Sequence, residues 1–431
     1  MNIDEATRYA DFCQFKTEIR LSKDYLIVGI DVAKDKHHAF FGTATGRTLL
    51  RRLIFDNNRT GFEQLITRAS QLGLEHGLSR IVYGLEPTGN YHKPLAGWLI
   101  GNEQMLVLVS NKAIADNRQT IDGRWDKNDT KDSANVADLM AQGKCQFFEI
   151  PELTLVQVRN LLSLRRRLKR DEHALRMKIR NGLVTKYFPE LDRHWGSCLT
   201  ENLAIVRWCL DPRKISSMGF EDFVRQVTRT DRGLRQLKRL KRIYGAAGLS
   251  IGCPVDEAAE FEARLLVDRL EVIREQVDST EAEIKQICLG FASYRRLLTI
   301  PGFGPYVASI VLARIGDPHR FKGRKQVIRL AGYDLNAKRS GKGSKDAVPV
   351  ISKRGNSELR YALYQAALIA TYHNDRFRAL FTRYLKGREK ERGIKTKMRV
   401  KLAVKMLVIA WTMMKTIKKG TGILYLTTIV G

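Results

Sequence analysis

The hydrophobic rhythm of the chain changes twice, and the changes mark out three stretches. From Tyr25, the short apolar runs YLIVGIDV, HHAFFGT and TLLRRLIFD are separated by turn-forming residues and predict three strands joined as an antiparallel meander. A helix is expected near Gly61 to Gln71. RIVYGLE and QMLVLVS then predict two more strands, the first followed by the helical run KPLAGWLIG, so strands alternate with helices. Residues 1–24 mix polar and charged types without a strand signal and are assigned to a leader outside the first core.

After Pro151 the strand signals fade. LTLVQVRNLLSLRRRLKRDEHALRMKIRNGLVTKYF predicts one long basic helix that ends before Pro189. Leu266, Leu270, Ile273, Val277, Thr280, Ile284 and Ile287 recur by four and three, a heptad seam that needs a partner helix. The two helices are expected to form an antiparallel coiled-coil arm around a helical insertion at about 190–255. Within that insertion, the basic run Arg232 to Gly245 reads equally well as a solvated helix and as a nucleic-acid contact. From Tyr294 a third stretch begins with RRLLTIPGFGPYVASIVLARIGD. Its Pro301-Gly302-Phe303-Gly304 turn resembles a helix-hairpin-helix, in which Gly302 and Gly304 would let backbone N–H groups approach a nucleic-acid phosphate. A plain helix-helix turn is the simpler alternative.

The β-β-β-α-β-α-β-α order of the first stretch is that of a ribonuclease-H-like sheet, so the expected fold class is α/β followed by all-α. A chain of 431 residues is long enough for two or three cores without staples. The six cysteines are scattered with no CxxC pair, which reads as reduced thiols, and a cytoplasmic, nucleoid-associated location is expected. Leu402 to Met414, the longest apolar stretch, is interrupted by Lys405 and falls short of the ~20 residues of a membrane span. No membrane partner is expected. The net charge of +29, from 75 Lys and Arg against 46 Asp and Glu, points instead to nucleic acid.

Four carboxylates stand where such a fold could gather them. Asp31 ends the first strand, Glu86 ends the fourth, and Asp129 with Asp132 share one helix face three residues apart. Acids forced together persist in ionised form only beside a cation, and oxygen donors suit Mg²⁺, whose common use in such clusters is phosphodiester chemistry. Asp35, Asp126 and Asp138 lie nearby and are read as solvent-facing. Of His37 and His38, one is expected to pack and the other to be exposed. A second constellation lies further on, where Ser340, Ser344 and Ser352 stand among Arg339, Lys342, Lys353 and Arg354 in a glycine-rich loop. By its residues alone, this is a phosphate-binding loop ahead of a helix.

The ordered acids, together with PGFGPYVASIVLARIGDPHRF, LAGYDLNAKRSGKG and ISKRGNSELRYALYQAA, resemble the DEDD transposases of the insertion sequence one-ten family over most of residues 25–415. The resemblance implies a RuvC-like domain at 25–150, a coiled-coil arm at 151–293 and a C-terminal transposase domain at 294–431, whereas the leader at 1–24 and the insertion at about 190–255 exceed what compact members of the family need. It implies that Asp31, Glu86, Asp129 and Asp132 bind Mg²⁺ and that Ser340 is the nucleophile that joins to DNA, with Ser344 left open beside it. It also implies a structured guide RNA that pairs with donor and target DNA, and a homo-oligomer, dimer or tetramer, with composite sites. A metal-dependent structure-specific endonuclease, such as a Holliday-junction resolvase, is the alternative, and a basic nucleic-acid scaffold is a third reading.

Overall fold

The computed structural model describes residues 17–87, 89–121, 129–148, 152–196, 199–228, 233–336 and 350–416. The chain divides at Pro151 into two compact units. The first is built on a sheet that begins with β1 (Tyr25–Asp31), β2 (Lys36–Thr43) and β3 (Thr48–Asp56). It continues through α1 (Arg59–Glu75), β4 (Arg80–Leu85), α2 (His92–Gly101), β5 (Met105–Leu108), α3 (Asn111–Ile121), α4 (Asp129–Ala141) and β6 (Gln146–Phe147). The strand order is β3-β2-β1-β4-β5-β6, with β1, β2 and β3 antiparallel and β1, β4 and β5 parallel. This mixed sheet agrees with a RuvC-like domain. The antiparallel two-residue β6 was not foreseen, because so short a segment carries no period.

β1 is apolar on both faces because it lies at the centre of the sheet with helices on either side. Leu26, Val28 and Ile30 join the core under α1 and α2, with Leu65, Leu72, Leu95 and Leu99. Tyr25 and Ile27 join the opposite core, with Ile114 of α3 and Val136, Ala137 and Met140 of α4. The leader assignment needs one correction. Residues 17–21 form a helical turn whose Ile19 is fully buried in this second core, and Glu18 pairs with Arg80 at 3.0 Å. Ile19 and the exposed Leu21, set among polar residues, form no run that gave a sign of that role.

In the second unit, α5 (Leu153–Lys178) packs along α9 (Glu257–Leu289), and Arg165 Nε donates to Glu281 Oε1 at 2.6 Å between them. The heptad positions Leu266, Leu270, Val277, Thr280 and Ile284 are all buried, and Ile273 and Ile287 are half-buried. The α5 end of the pair closes on a helical core built from α6 (Leu199–Cys209), α7 (Phe220–Val227) and α8 (Leu234–Ala247). There, burial pushes the Cys209 thiol up to about 11, so it stays protonated and inert. The other end joins a core with α10 (Pro305–Ile315), α11 (Ser357–His373), α12 (Asp375–Leu385) and α13 (Ile394–Lys415). Leu402 to Met414 lies in α13 and supplies that core, and no described helix is long and apolar enough to cross a membrane.

Candidate active site

The alternation of β1 and β4 decides where their terminal acids lie. Tyr25, Ile27, Gly29 and Asp31 form one face of β1, and Val82 and Gly84 lead to Glu86 on the corresponding face of β4. Both faces look toward α4. Gly29 pairs with Gly84 and Ile30 with Leu85 in the last rungs of the parallel register. Asp31 ends β1 and Glu86 directly follows β4, so both stand at the carboxyl edge of the sheet.

The glycine pair is what lets α4 lie so close. A Cβ on Gly29 would come within 2.3 Å of the Ser133 carbonyl and 2.6 Å of the Ala137 nitrogen, so strand and helix touch backbone to backbone. A Cβ on Gly84 would meet Met140 Sδ at 2.0 Å. Asp132, directly before Ser133, is buried, with only 5% of its side chain exposed. Asp129 begins the same helix, and its side chain lies outside the described residues.

A cation already faces Asp132. Arg118 Nη2 of α3 stands 2.7 Å from Asp132 Oδ1, yet no aligned hydrogen bond reaches that buried oxygen among the described residues. A polar seam fixes α3 against α4 beside this pair. Asn117 Nδ2 donates to Asn135 Oδ1 and to Asp138 Oδ2, both at 2.8 Å, and Asn135 Nδ2 donates to the Ile114 carbonyl at 2.8 Å. Asp138 is therefore an exposed seam residue, as expected, and Asp35 is exposed in the turn after β1; Asp126 lies outside the described residues.

His37 is the packed histidine. Its ring lies 5.1 Å from Phe55 edge-on and is stacked 6.1 Å from Phe62, and the Ala33 N–H donates to its Nδ1 at 3.2 Å. Burial holds its pKa below the ordinary value, against the raising effect of Asn57. His38 is half-buried and stands opposite Asp31 in the β1–β2 register. Neither joins a set of metal-ligating side chains among the described residues. Among the described residues, no three Asp, Glu, His or Cys side chains converge closely enough to hold a metal. The donor chemistry of Asp31, Glu86 and Asp132 nevertheless suits a hard cation, and an under-coordinated buried carboxylate oxygen is what such an ion would take up.

Ser340, Arg339 and Lys342 lie outside the described residues, but the stem that presents their loop is defined. β7 (Leu335–Asn336) pairs with β8 (Val350–Ile351), and the Ser352 hydroxyl donates to Asp334 Oδ1 at 2.6 Å. Ser352 is thus a clamp, set by an aspartate that sequence reasoning passed over. Gly355 closes the stem from the other side, where a Cβ would stand 2.3 Å from the Gly332 nitrogen. Lys353, with φ of 55°, and Arg354 are exposed just before α11, whose first turn Asn356 caps by accepting from the Leu359 N–H at 2.8 Å.

The two hairpin glycines have different causes. Gly302, with φ of 86°, faces the Ala366 carbonyl of α11, which a Cβ would approach to 2.3 Å, so helix packing accounts for it without any phosphate. Gly304 is exposed and opens α10 with free space around it.

A ribonuclease-H-like sheet with acids at its carboxyl edge, followed in the chain by a mostly helical unit, agrees with a DNA transposase of the DEDD class, and the family comparisons show it. The family model of the DEDD transposases of IS110 matches residues 28–189, and that of the IS116/IS110/IS902 transposases matches residues 294–382. Together they span more than half of the chain, and the protein belongs to the IS110 family of insertion-sequence transposases. It is 24% identical over 400 residues to the transposase of insertion sequence element IS1111A from Coxiella burnetii, which covers 93% of this chain and 92% of that protein. It is 23% identical over 403 residues to the pilin gene-inverting protein of Moraxella lacunata, covering 92% and 97%. A probable family 20 transposase of Pseudomonas aeruginosa is 33% identical over 104 residues, covering 24% and 30%.

Proposed function

We propose that this transposase cuts and rejoins DNA with a composite site, in which Asp31, Glu86, Asp129 and Asp132 hold Mg²⁺ and Ser340 is the nucleophile. The observation that supports the reading is that Asp31 and Glu86 stand just beyond the last rung of the β1–β4 pair, on strands packed against the helix that bears the other two acids. When bound there, Mg²⁺ supplies stabilisation for charge developing on the phosphodiester oxygens. The chain's own part is to hold the acids on strand ends and a helix whose backbones are locked together, so that little reorganisation is left for the reaction. Arg118 neutralises Asp132 until a metal ion arrives.

Ser340 would attack phosphorus, its proton passing to a nearby base as the bond to the departing 3′ oxygen of the DNA strand breaks. Lys353 and Arg354, fixed beside the clamped stem, would face the phosphate charge. Family likeness supports a structured guide RNA that supplies the sequence specificity, with the α5–α9 pair as a coiled-coil arm bringing protomers of a homo-oligomer together. The site of action is then the nucleoid in the cytoplasm. Ser340→Ala separates this reading from a water-only endonuclease. With a labelled donor substrate, the covalent protein–DNA adduct should vanish in the variant while Mn²⁺ binding stays at the wild-type level. Continued strand cutting without any adduct in the wild type would favour the resolvase-like alternative.

A further inference from the structure

Lys353, Arg354 and Arg360 close the stem that presents the serine loop, and the third cation is turned differently from the other two. Lys353 and Arg354 are exposed. Arg360, in the first turn of α11, is half-buried, and its Nη1 donates to the Ala331 carbonyl at 2.8 Å and, more loosely, to the Lys353 carbonyl at 3.4 Å. Ala331 lies before β7 and Lys353 after β8, so one guanidinium nitrogen spans both legs of the stem. The shorter of the two bonds has an ionised donor and is of the stronger kind.

Arg360 is held in turn. Tyr333 is 3% exposed, and its hydroxyl donates to the Arg360 carbonyl at 2.7 Å. Burial pushes the Tyr333 pKa up, against the lowering effect of Arg360, so the phenol stays a donor. Between the legs, the Ser352 N–H donates to the Asp334 carbonyl at 2.7 Å, the Lys353 N–H to the Gly332 carbonyl at 3.0 Å and the Asn356 N–H to the Leu330 carbonyl at 2.7 Å. Gly332, with φ of 67°, makes room for the guanidinium, because a Cβ there would stand 2.8 Å from Arg360 Nη1. The backbone also carries strain where the guanidinium grips it. Among the described residues only Glu103 and Lys353 take a positive φ without being glycine, and it is the Lys353 carbonyl that Arg360 meets. Such a residue keeps that conformation only where its surroundings hold it, and strain of this kind gathers at functional sites.

We propose that Arg360 is a positioning residue of the recombination reaction: with Tyr333, it fixes the direction in which the β7–β8 stem leaves α11, and so the place of the nucleophilic hydroxyl, without itself contacting DNA. This role rests on the assignment of Ser340 as the nucleophile. It divides the cations around the loop, with Lys353 and Arg354 facing the phosphate and Arg360 facing protein carbonyls. Lysine lacks the planar fork, so Arg360→Lys keeps the charge and loses the geometry.

The test uses the full-length chain and the labelled donor substrate, and measures DNA affinity over a range of KCl, the rate of covalent adduct formation at saturating DNA, and hydrogen exchange over residues 350–356. A misplacement of ~1 Å can cost a reacting group on the order of a hundredfold in rate. R360K and R360A should therefore lose roughly ten- to a hundredfold in adduct rate and exchange faster over 350–356, while keeping the affinity and salt slope of the wild type. Y333F, which removes one hydroxyl, should move rate and exchange in the same direction by less. Added ethylguanidinium, at a concentration that does not denature, should recover part of the rate of R360A, which a misfolded variant could not show. A weaker affinity with a salt slope smaller by about 0.9, and an unaltered rate at saturation, makes Arg360 a phosphate contact and overturns the proposal. An unaltered rate, or unaltered exchange, in both Arg360 variants overturns it as well. Absence of any adduct from the wild type is a separate result, which removes the serine assignment and with it this role in the reaction, whatever the exchange shows.

Discussion

Gly29 and Gly84 face each other across the parallel β1–β4 pair, and α4 rests on both of them. Without side chains at this rung, the helix descends until its backbone meets the strand at Ser133, the residue directly after Asp132. Fold and candidate site therefore depend on the same two residues.

Gly29→Val should lift α4 from the sheet, because its Cβ would lie 2.3 Å from the Ser133 carbonyl. The expected destabilisation is about 1–3 kcal/mol, the usual range for overpacking a tight core. Gly97→Ala is the control. Gly97 sits within α2 with open space around it, so alanine there should be neutral or stabilise by up to about 1 kcal/mol. Urea denaturation of the two variants separates the outcomes, and equal midpoints would show that the backbone contact is unimportant.

Arg118→Met should leave the Asp132 carboxylate buried without its cation. The pair is only partly dry, since Arg118 keeps 31% of its side chain exposed, so the loss is placed at about 1–3 kcal/mol rather than at the full value for a buried pair. Millimolar Mg²⁺ should restore much of it by supplying the missing charge. A thermal midpoint that ignores both the substitution and the metal would mean that Arg118 does not guard this site.

His37 makes the stability of the first unit pH-dependent. Its folded pKa lies below the ordinary 6.5, so the unfolded chain binds this proton more readily, and stability is lost as the pH falls below about 6.5 and on through the lower folded-state value. Above that value the contribution is complete. His37→Phe should lose a little stability at neutral pH, since the Ala33 N–H loses its acceptor, and should flatten the decline between neutral and mildly acidic pH. Melting curves over that range test it, and an unaltered slope would contradict it.

The sheet was legible because β1 and β4 are runs whose length and turns admit little else. What the sequence concealed was contact between distant residues. Nothing near Gly29 or Gly84 announces Ser133 or Met140, nothing near Arg118 announces Asp132, and nothing in the 301–304 turn announces that the Ala366 carbonyl lies against Gly302. Asp334 illustrates the same difficulty, since its role is set by Ser352 in the returning strand.

The central claim is that four acids far apart in sequence form one cation site. Mn²⁺ titration of the full-length chain, followed by electron paramagnetic resonance, tests it without requiring DNA. Asp31→Asn, Glu86→Gln, Asp129→Asn and Asp132→Asn should each weaken binding roughly tenfold or more. Asp138→Asn, on the exposed seam, should bind as the wild type does. If all five variants and the wild type bind Mn²⁺ alike, or if only Asp138→Asn fails to bind it, the four acids do not form the site.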